Sequence, residues 1–439
     1  MPYIAEGSYG CVFSPPLKCL NKKKTTSSQA GKIFNNRDYM EEEKELAVKI
    51  NKIDPKGKWT VPYHGSCFIN IKQTGQNDNI NKCNKYAKHI PITEQLIYKN
   101  GGIDLNHFIN NFELLKDTLF IDDLIPLFYN LLKGLRTLNE KQLAHCDIKP
   151  PNMLYDFNEF KLYIIDFGLT TPYSNISSFS NYNMLNHIYP YYPPEFKIYV
   201  QLIIHQNTNV NTSDILENYS RYLPRGFFDF MSKYIDIPLQ LKQFVVKCQK
   251  NKDVFKYKFN TEYVSKIDVF SLGMTFVEMF YRLSIKSQIQ LNDKPFFDNF
   301  MKLVIVPMIN MDADQRYDAT KAYNMLKTLL KKYNKKTDSS SSLSSISNIK
   351  IPVSSCNKLK RTEIVELLKK QNKPVYGNKS VLCDRLNNII KSPKINKEIG
   401  GTAQKNCEKL KGAEIKLLLE KQNKAKYGTK KVMCERLLK

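Results

Sequence analysis

Two short segments hold residue types that could do chemistry together. "HCDIKPPNMLY", residues 145–155, presents Asp147, Lys149 and Asn152, and "LYIIDFGL", residues 162–169, adds Asp166 nineteen positions after Asp147. Phosphoryl transfer asks little covalent chemistry of a protein. It needs a carboxylate near an acceptor hydroxyl, oxygen ligands for Mg2+ and positive charge on the phosphates, and these segments supply all three. Singly each is weak, because Asp-Phe-Gly also makes a common turn and His-x-Asp also caps a helix. Their joint order and spacing carry the reading.

The chain that must position them has 439 residues, 42% of them apolar, enough for two or three domains and at least one sizeable core. Its formal charge of +25 points to an acidic partner such as nucleic acid, anionic membrane or a phosphate-rich substrate, or to a solvated basic face. Ten cysteines, none in a CxxC pair, are read as reduced thiols rather than as a disulfide framework or zinc site, which predicts an intracellular protein of the cytosol or nucleus. No apolar run approaches the ~18 residues that would cross a bilayer. The opening "MPYIAEGSYG" lacks the basic flank and apolar core of a signal peptide, so neither secretion nor membrane insertion is expected.

From Thr337 the text turns to "TDSSSSLSSISN", too poor in apolar surface to offset ordering entropy, and is read as a flexible linker. Beyond it, "KLKRTEIVELLKKQNKPVYGNKSVLCDRL" from Lys358 matches "KLKGAEIKLLLEKQNKAKYGTKKVMCERL" from Lys409 without a gap. The tail is a tandem repeat. Ahead of the linker, the first ~100 residues carry short strand-like runs, whereas "DDLIPLFYNLLKGLRTLNE" and "SKIDVFSLGMTFVEMFYRL" have helical periodicity. A small β-rich lobe followed by a larger helical one is predicted.

His-x-Asp-x-Lys-x-x-Asn followed by Asp-Phe-Gly resembles the protein kinase family. The resemblance implies that Asp147 accepts or orients the acceptor proton, that Lys149 steadies the γ-phosphate of ATP, and that Asn152 and Asp166 hold Mg2+. A lysine two places after the aspartate implies a Ser/Thr rather than a tyrosine kinase. "IAEGSYGCVF" resembles the glycine-rich phosphate loop, with Gly7, Ser8, Gly10 and Val12 in place and Ala5 where the family has its first glycine.

"EEEKELAVKI", residues 41–50, contains a near match to the Val-Ala-Ile-Lys strand of kinases, which would make Lys49 the ATP-pairing lysine. Lys32 of "AGKIF" lies closer to the usual distance after Gly10 and is preferred. The segment around Lys49 reads as a helix instead, with Met40, Leu46, Ile50 and Ile53 near helical spacing, acids at its start and lysines after them. On that register Glu43, or alternatively Glu42, forms the ion pair that holds Lys32 against the phosphates. After "TEQLIYKNGG", the resemblance implies Leu96 as gatekeeper, Ile97, Tyr98 and Lys99 as adenine-contacting hinge, and Asp104 near the ribose.

Further on, "YYPPEF" resembles the end of the activation segment, with Glu195 as its glutamate. "IDVFSLG" resembles the start of the helix with a buried aspartate, here Asp268, and Arg316 matches the arginine that pairs with that glutamate. Two departures stand out. Cys146 replaces the arginine that reads activation-loop phosphate, which implies a constitutively poised or differently controlled enzyme. A long insertion between Glu195 and Asp268 is either a substrate platform or a helical elaboration.

Within kinases, "GSYGCVFSPPLKC", "KIF", "HCDIKPPNMLY" and "YYPPEF" resemble the divergent Ser/Thr kinases of nucleocytoplasmic large DNA viruses. For a viral chain the location would be host cytoplasm or nucleus, or the virion. Each tail repeat resembles the SAP motif, a helix-loop-helix DNA-binding module, through Gly377, Lys379, Arg385 and Leu386 and again Gly428, Lys430, Arg436 and Leu437. A pair of basic hairpins that bind protein, or only solubilise the chain, is the competing reading of the tail. The four tail cysteines are read as helix-packing thiols rather than metal ligands.

The expected fold class is therefore α+β: a bilobal kinase-like domain over 1–335, with an N-lobe of about 1–99, a C-lobe of about 100–335 and an insertion of about 197–263. A Ser-rich linker over 336–355 follows, then SAP-like repeats at 356–390 and 407–439 joined by a linker at 391–406. The expected function is ATP- and Mg2+-dependent phosphorylation of Ser/Thr in protein substrates, with the tail tethering the enzyme to DNA or a DNA-associated assembly. The alternative is a catalytically inactive pseudokinase scaffold.

Overall fold

Short runs rich in β-branched and aromatic residues near the N-terminus form β1 (Tyr3–Glu6), β2 (Gly10–Phe13) and β3 (Gln29–Phe34). After them come α1 (Arg37–Ile53), β4 (Tyr63–Asn70) and β5 (Ile92–Lys99). The five strands make one antiparallel sheet in the order β1-β2-β3-β5-β4. The structure is a computed structural model. It describes residues 3–6, 10–20, 25–71, 82–83, 92–110, 121–156, 159–178, 190–207, 209–286, 291 and 293–333. Gly7 and Ser8, the Ser-rich linker and both SAP-like repeats lie outside the described residues. The chain divides into two units, Met1–Ile349 and Lys350–Lys439, and the first is the one described here.

Helix α1 settles what "EEEKELAVKI" becomes. The Asn36 side chain accepts the Asp38 N–H and caps its start. At its end the Asp54 carboxylate accepts the backbone N–H groups of Lys58, Trp59 and Thr60 at 2.9, 2.9 and 3.1 Å. Met40 and Ile50 are its buried residues, and Lys49 is exposed on its outer side. The turn so fixed carries Trp59 into the core of the second lobe, against Gly134, where an added Cβ would meet the indole ring at 2.4 Å.

The second lobe begins with β6 (Ile103–Asp104), α2 (Leu105–Asn110) and α3 (Phe128–Glu140). Next come β7 (Leu143–Ala144), β8 (Met153–Asp156), β9 (Lys161–Ile164) and β10 (Thr171–Pro172). Then follow α4 (Pro194–Tyr199), α5 (Thr212–Tyr222), α6 (Phe227–Met231), α7 (Ile237–Lys250) and α8 (Lys252–Thr261). Last are α9 (Ile267–Lys286), α10 (Lys294–Phe300) and α11 (Ala319–Lys332). Helix α9 is apolar on nearly every side because it runs through the centre, with Phe270, Phe276 and Phe280 fully buried. Phe128 of α3 packs on Phe276 and Phe300 around it. Among the described residues no helix is long and apolar enough to cross a membrane.

The insertion supplies α5 to α8. Phe259 of α8 stacks on Tyr199 at 4.1 Å, and Lys247 and Lys258 bind Asp314 from two helices. Burial works to raise the Asp314 pKa, but the hydrogen bonds from Lys247, Lys258 and Tyr263 outweigh it and hold it at about 2.

The cysteine reading is corrected here. Cys11 is bonded to Cys83 and Cys19 to Cys67, while Cys146 and Cys248 are free and buried. The partners stand 72 and 48 residues apart in the chain. The fold, not local spacing, brings them together, so the lack of CxxC pairs was no guide, and the cysteines do not support a cytosolic or nuclear location.

Candidate active site

Strand β3 puts Lys32 on the face of the sheet that α1 covers, and its ammonium group binds Glu43 Oε2. The other carboxylate oxygen, Oε1, accepts the Tyr98 hydroxyl at 3.2 Å. Glu42, one residue earlier on the helix, is exposed. Burial and the nearby Glu43 charge push the Tyr98 phenol well above its usual range, so it stays a proton donor.

That contact revises the reading of β5. Leu96 is fully buried with Phe34 and Met40 under α1, and Ile97 points to the opposite face of the sheet among Cys11, Phe13 and Ile33. Leu96, implied as gatekeeper, stands opposite Lys32 across the sheet, and Tyr98, two residues on and opposite Ala30, is the side chain that reaches Glu43. β5 lies between β3 and β4, and its backbone is paired on both sides as far as Tyr98. Residues 97, 98 and 99 are thus all strand, Lys99 pairing with Gln29 as the last residue of β5. Lys99 itself is fastened to the second lobe, by Asp156 at 3.1 Å, Glu159 at 2.6 Å and the Tyr163 hydroxyl at 2.6 Å. Asp104 accepts the His107 N–H at 3.0 Å and binds its Nδ1 at 2.5 Å, so its carboxylate is engaged at the start of α2.

At the phosphate loop, Ala5 pairs with Val12 and Val12 with Lys32 across the sheet. Gly10 pairs with Phe34, and a Cβ there would lie 1.9 Å from the Ile33 carbonyl oxygen. Its missing side chain is required by strand contact, a second reason for glycine besides approach to phosphate.

The segment 145–152 is held from beneath by α9. Asp268, at the helix start, accepts the backbone N–H of His145 at 2.7 Å and of Cys146 at 2.9 Å. Burial raises its pKa to about 6, against the pull of those two donors. Cys146 takes a left-handed backbone, φ 61°, and its thiol is buried. His145 is kept neutral by burial, with a pKa of about 4. Its Nδ1 faces the Asp147 N–H at 3.2 Å and its Nε2 the Ile165 carbonyl at 3.2 Å, which assigns the proton to Nε2.

Asp147 emerges from this support with each oxygen engaged. Oδ1 meets Lys149 Nζ at 2.8 Å and Oδ2 accepts from Asn152 Nδ2 at 2.6 Å. Burial raises its pKa, and Lys149 opposes the rise. The Ile165 N–H binds the Asn152 carbonyl at 3.0 Å, which ties the strand end before Asp166 to Asn152. Asp166 has φ 62° and ψ 69°, and the next residue, Phe167, packs on His145 at 4.6 Å and on Trp59 at 6.1 Å. Asn152 Nδ2 also donates to the Asp147 carbonyl at 2.9 Å. Asn152 and Asp166 carry oxygen donors of the type that could hold Mg2+ bound mainly through phosphate and water. Among the described residues there is no group of three or more His, Cys, Asp or Glu side chains suited to a metal ion.

Glu195 and Arg316 form a fully buried two-pronged pair, Nη1–Oε1 2.5 Å and Nη2–Oε2 2.9 Å. The sequence offered Tyr98 and Lys99 as hinge residues, not Tyr98 as the partner of Glu43 nor Lys99 as the partner of Asp156 and Glu159, and it did not single out Trp59. Counting β-strand register from Lys32 would have found Tyr98, whereas no local signal marks the other two.

A β-rich lobe and a helical one, with the Lys32–Glu43 pair in the first and Asp147, Lys149, Asn152 and Asp166 in the second, fit a bilobal kinase fold. Residues 70–212 match the family model of the protein kinase domain. The matched span contains Asp147, Lys149, Asn152, Asp166 and Glu195, and it leaves out Lys32 and Glu43. The chain is also similar to the probable dual specificity protein kinase YAK1 homolog of Encephalitozoon cuniculi (strain GB-M1), 30% identical over 138 residues, which cover 29% of this chain and 32% of that protein. The match thus spans about a third of the relative's length.

Proposed function

We propose that this chain is a protein kinase that transfers the ATP γ-phosphate to serine or threonine hydroxyls of protein substrates. The observation that carries the reading is the joint geometry of Asp147, Lys149 and Asn152 over Asp268, with Lys32 paired to Glu43 across the cleft. Asp147 is the acceptor-side carboxylate. Its raised pKa suits it to take the hydroxyl proton late in transfer, and Lys149 beside it supplies charge for the moving phosphoryl group. Lys32, steered by Glu43, holds the α- and β-phosphates. Mg2+, held by Asn152 and Asp166, neutralises charge on the phosphates when bound. Ser/Thr specificity rests on Lys149 in the residue pattern; the name of the similar microsporidian protein makes dual specificity the alternative that phosphoamino-acid analysis decides.

Mg-ATP binding by Lys32→Met and Lys49→Met variants tests the assignment. Lys32→Met is expected to weaken binding by about 1.5–3 kcal/mol, the usual size of a lost hydrogen bond to a charged group, and Lys49→Met to leave it unchanged. The reverse pattern would overturn it. Tyr98→Phe keeps the ring and removes only the hydroxyl that steadies Glu43. A fall in kcat/KM of up to about tenfold, matching a net hydrogen-bond contribution of about 1 kcal/mol or slightly more, is expected with unchanged thermal stability.

The tail is proposed to tether the enzyme to DNA through its two SAP-like repeats, where lysine-rich helix starts and loops would neutralise phosphates and two linked copies would add avidity. DNA binding by the full chain should weaken steeply with salt, and no binding at low salt would remove DNA from the proposal. Within the insertion, a substrate platform remains the functional proposal beside the helical packing seen.

A further inference from the structure

The face of the sheet turned away from α1 has a core of its own. It consists of nine buried residues, Cys11, Phe13, Leu17, Cys19, Ile33, Cys67, Ile69, Cys83 and Ile97, and four of the nine are the disulfide cysteines. The α1 face of the same sheet adds only the small cluster Phe34, Met40 and Leu96, so the burial that holds the lobe without cross-links is modest for its size. The larger core, in contrast, contains many more buried residues and no disulfide among those described.

The disulfides also join parts that the sheet leaves apart. β2 and β4 are separated by β3 and β5 in the sheet, so neither is hydrogen-bonded to the other. After β2 the chain crosses this face: Leu17 exchanges hydrogen bonds with the Gln95 side chain at 3.1 and 2.6 Å, and the Leu20 N–H reaches the Phe68 carbonyl at 2.8 Å. Cys19–Cys67 locks that crossing to β4. Cys11–Cys83 locks β2, directly after Gly10 of the phosphate loop, to the segment between β4 and β5. Gln95 Nε2 approaches Cys67 Sγ at 3.2 Å, which places a polar donor at the sulfur.

We propose that nucleotide binding by this chain depends on these two disulfides, which make the upper lobe a thiol-sensitive element of the enzyme. This rests on the kinase reading for the identity of the ligand. A dithiol reductant cuts each bond by giving two electrons and two protons. It closes to its own cyclic disulfide as the protein regains two thiols. Oxidised glutathione reverses the step and leaves as two thiols. Cutting both bonds frees β2 and the crossing segment and lowers the fraction of chains in which Gly10 and Val12 of β2 are held beside Phe34 and Lys32, while the helical lobe stays folded.

The test uses the full chain purified without reductant. Peptide mapping under non-reducing conditions reads the bonds independently of any nucleotide, and a fluorescent ATP analogue with Mg2+ reads binding. Linked peptides Cys11–Cys83 and Cys19–Cys67 are expected. After dithiothreitol, affinity should fall at least about tenfold, as when the competent fraction drops to a tenth, and recover with oxidised glutathione. Emission of Trp59, the chain's one tryptophan, buried in the larger core, should stay unchanged through the cycle. Free thiols at these four positions in the unreduced chain, or equal affinity before and after complete reduction, overturns the proposal. A Cys19→Ser/Cys67→Ser double variant is a second route, with weaker binding expected and wild-type affinity overturning it. Failure of the kinase reading looks different: the bonds map as expected but the oxidised chain binds no nucleotide, which removes the proposal's ligand as well.

Discussion

Asp147→Asn should abolish phosphoryl transfer while the protein keeps its fold and its nucleotide. The carboxylate lies 2.8 Å from Lys149 and accepts Asn152 at 2.6 Å, so an amide of the same shape fills the place with the loss of one charge and of one of these two acceptors. Its backbone is set independently by Asp268 through His145 and Cys146. A fall of about 10²–10⁴ in kcat is expected, the usual worth of a positioned acid or base, with little change in Mg-ATP affinity. Single-turnover transfer beside equilibrium nucleotide binding checks it. If the variant lost nucleotide binding in parallel, Asp147 would be a structural residue instead.

The second large effect is on stability. Arg316→Ala should cost about 3–5 kcal/mol, because it strands the Glu195 carboxylate, fully buried, without its two-pronged partner. Arg316 also donates from Nε to the Asn310 carbonyl at 2.8 Å and lies over Phe270 of α9, so its removal touches the loop to which Lys247 and Lys258 fasten the insertion. The double change Glu195→Leu with Arg316→Met, which removes both charges and keeps volume, should recover part of the loss. Urea unfolding of the wild type and the two variants measures this. Equal stability of Arg316→Ala and wild type would mean that the pair contributes nothing net.

The lower half of the site was legible because its residues are close in sequence. Asp147, Lys149 and Asn152 lie on one short loop, and the β8–β9 hairpin returns Asp166 to it through local pairing of Met153 with Ile164. Helix α1 was legible through its acidic start and buried Met40 and Ile50, and this separated Lys49 from Lys32. β5 was legible as a strand-like run but its end was not, because pairing continues through Tyr98 to Lys99 and nothing in those residue types marks where it stops. The disulfides were illegible for a different reason. Their partners lie 48 and 72 residues apart and meet only because a segment after β2 crosses the sheet.

Cys146 stands where kinases carry a phosphate-reading arginine, and the structure shows what that position does here. Its N–H binds Asp268 and its thiol is buried, so it serves the support of the loop rather than an external charge. Nearby, β10 pairs with β7, and the Tyr173 hydroxyl binds Asn139 at 2.7 Å. The first part of the segment after Asp166 is thus tied down by neutral contacts.

The most direct measurement is transfer itself: the full chain, kept oxidised, incubated with γ-labelled ATP, Mg2+ and a panel of proteins bearing accessible serine, threonine and tyrosine, followed by phosphoamino-acid analysis. Labelled phosphoserine or phosphothreonine, absent with Asp147→Asn, is the predicted result. Nucleotide bound with no label transferred to any protein would contradict the account and leave a kinase-like fold that serves only to bind.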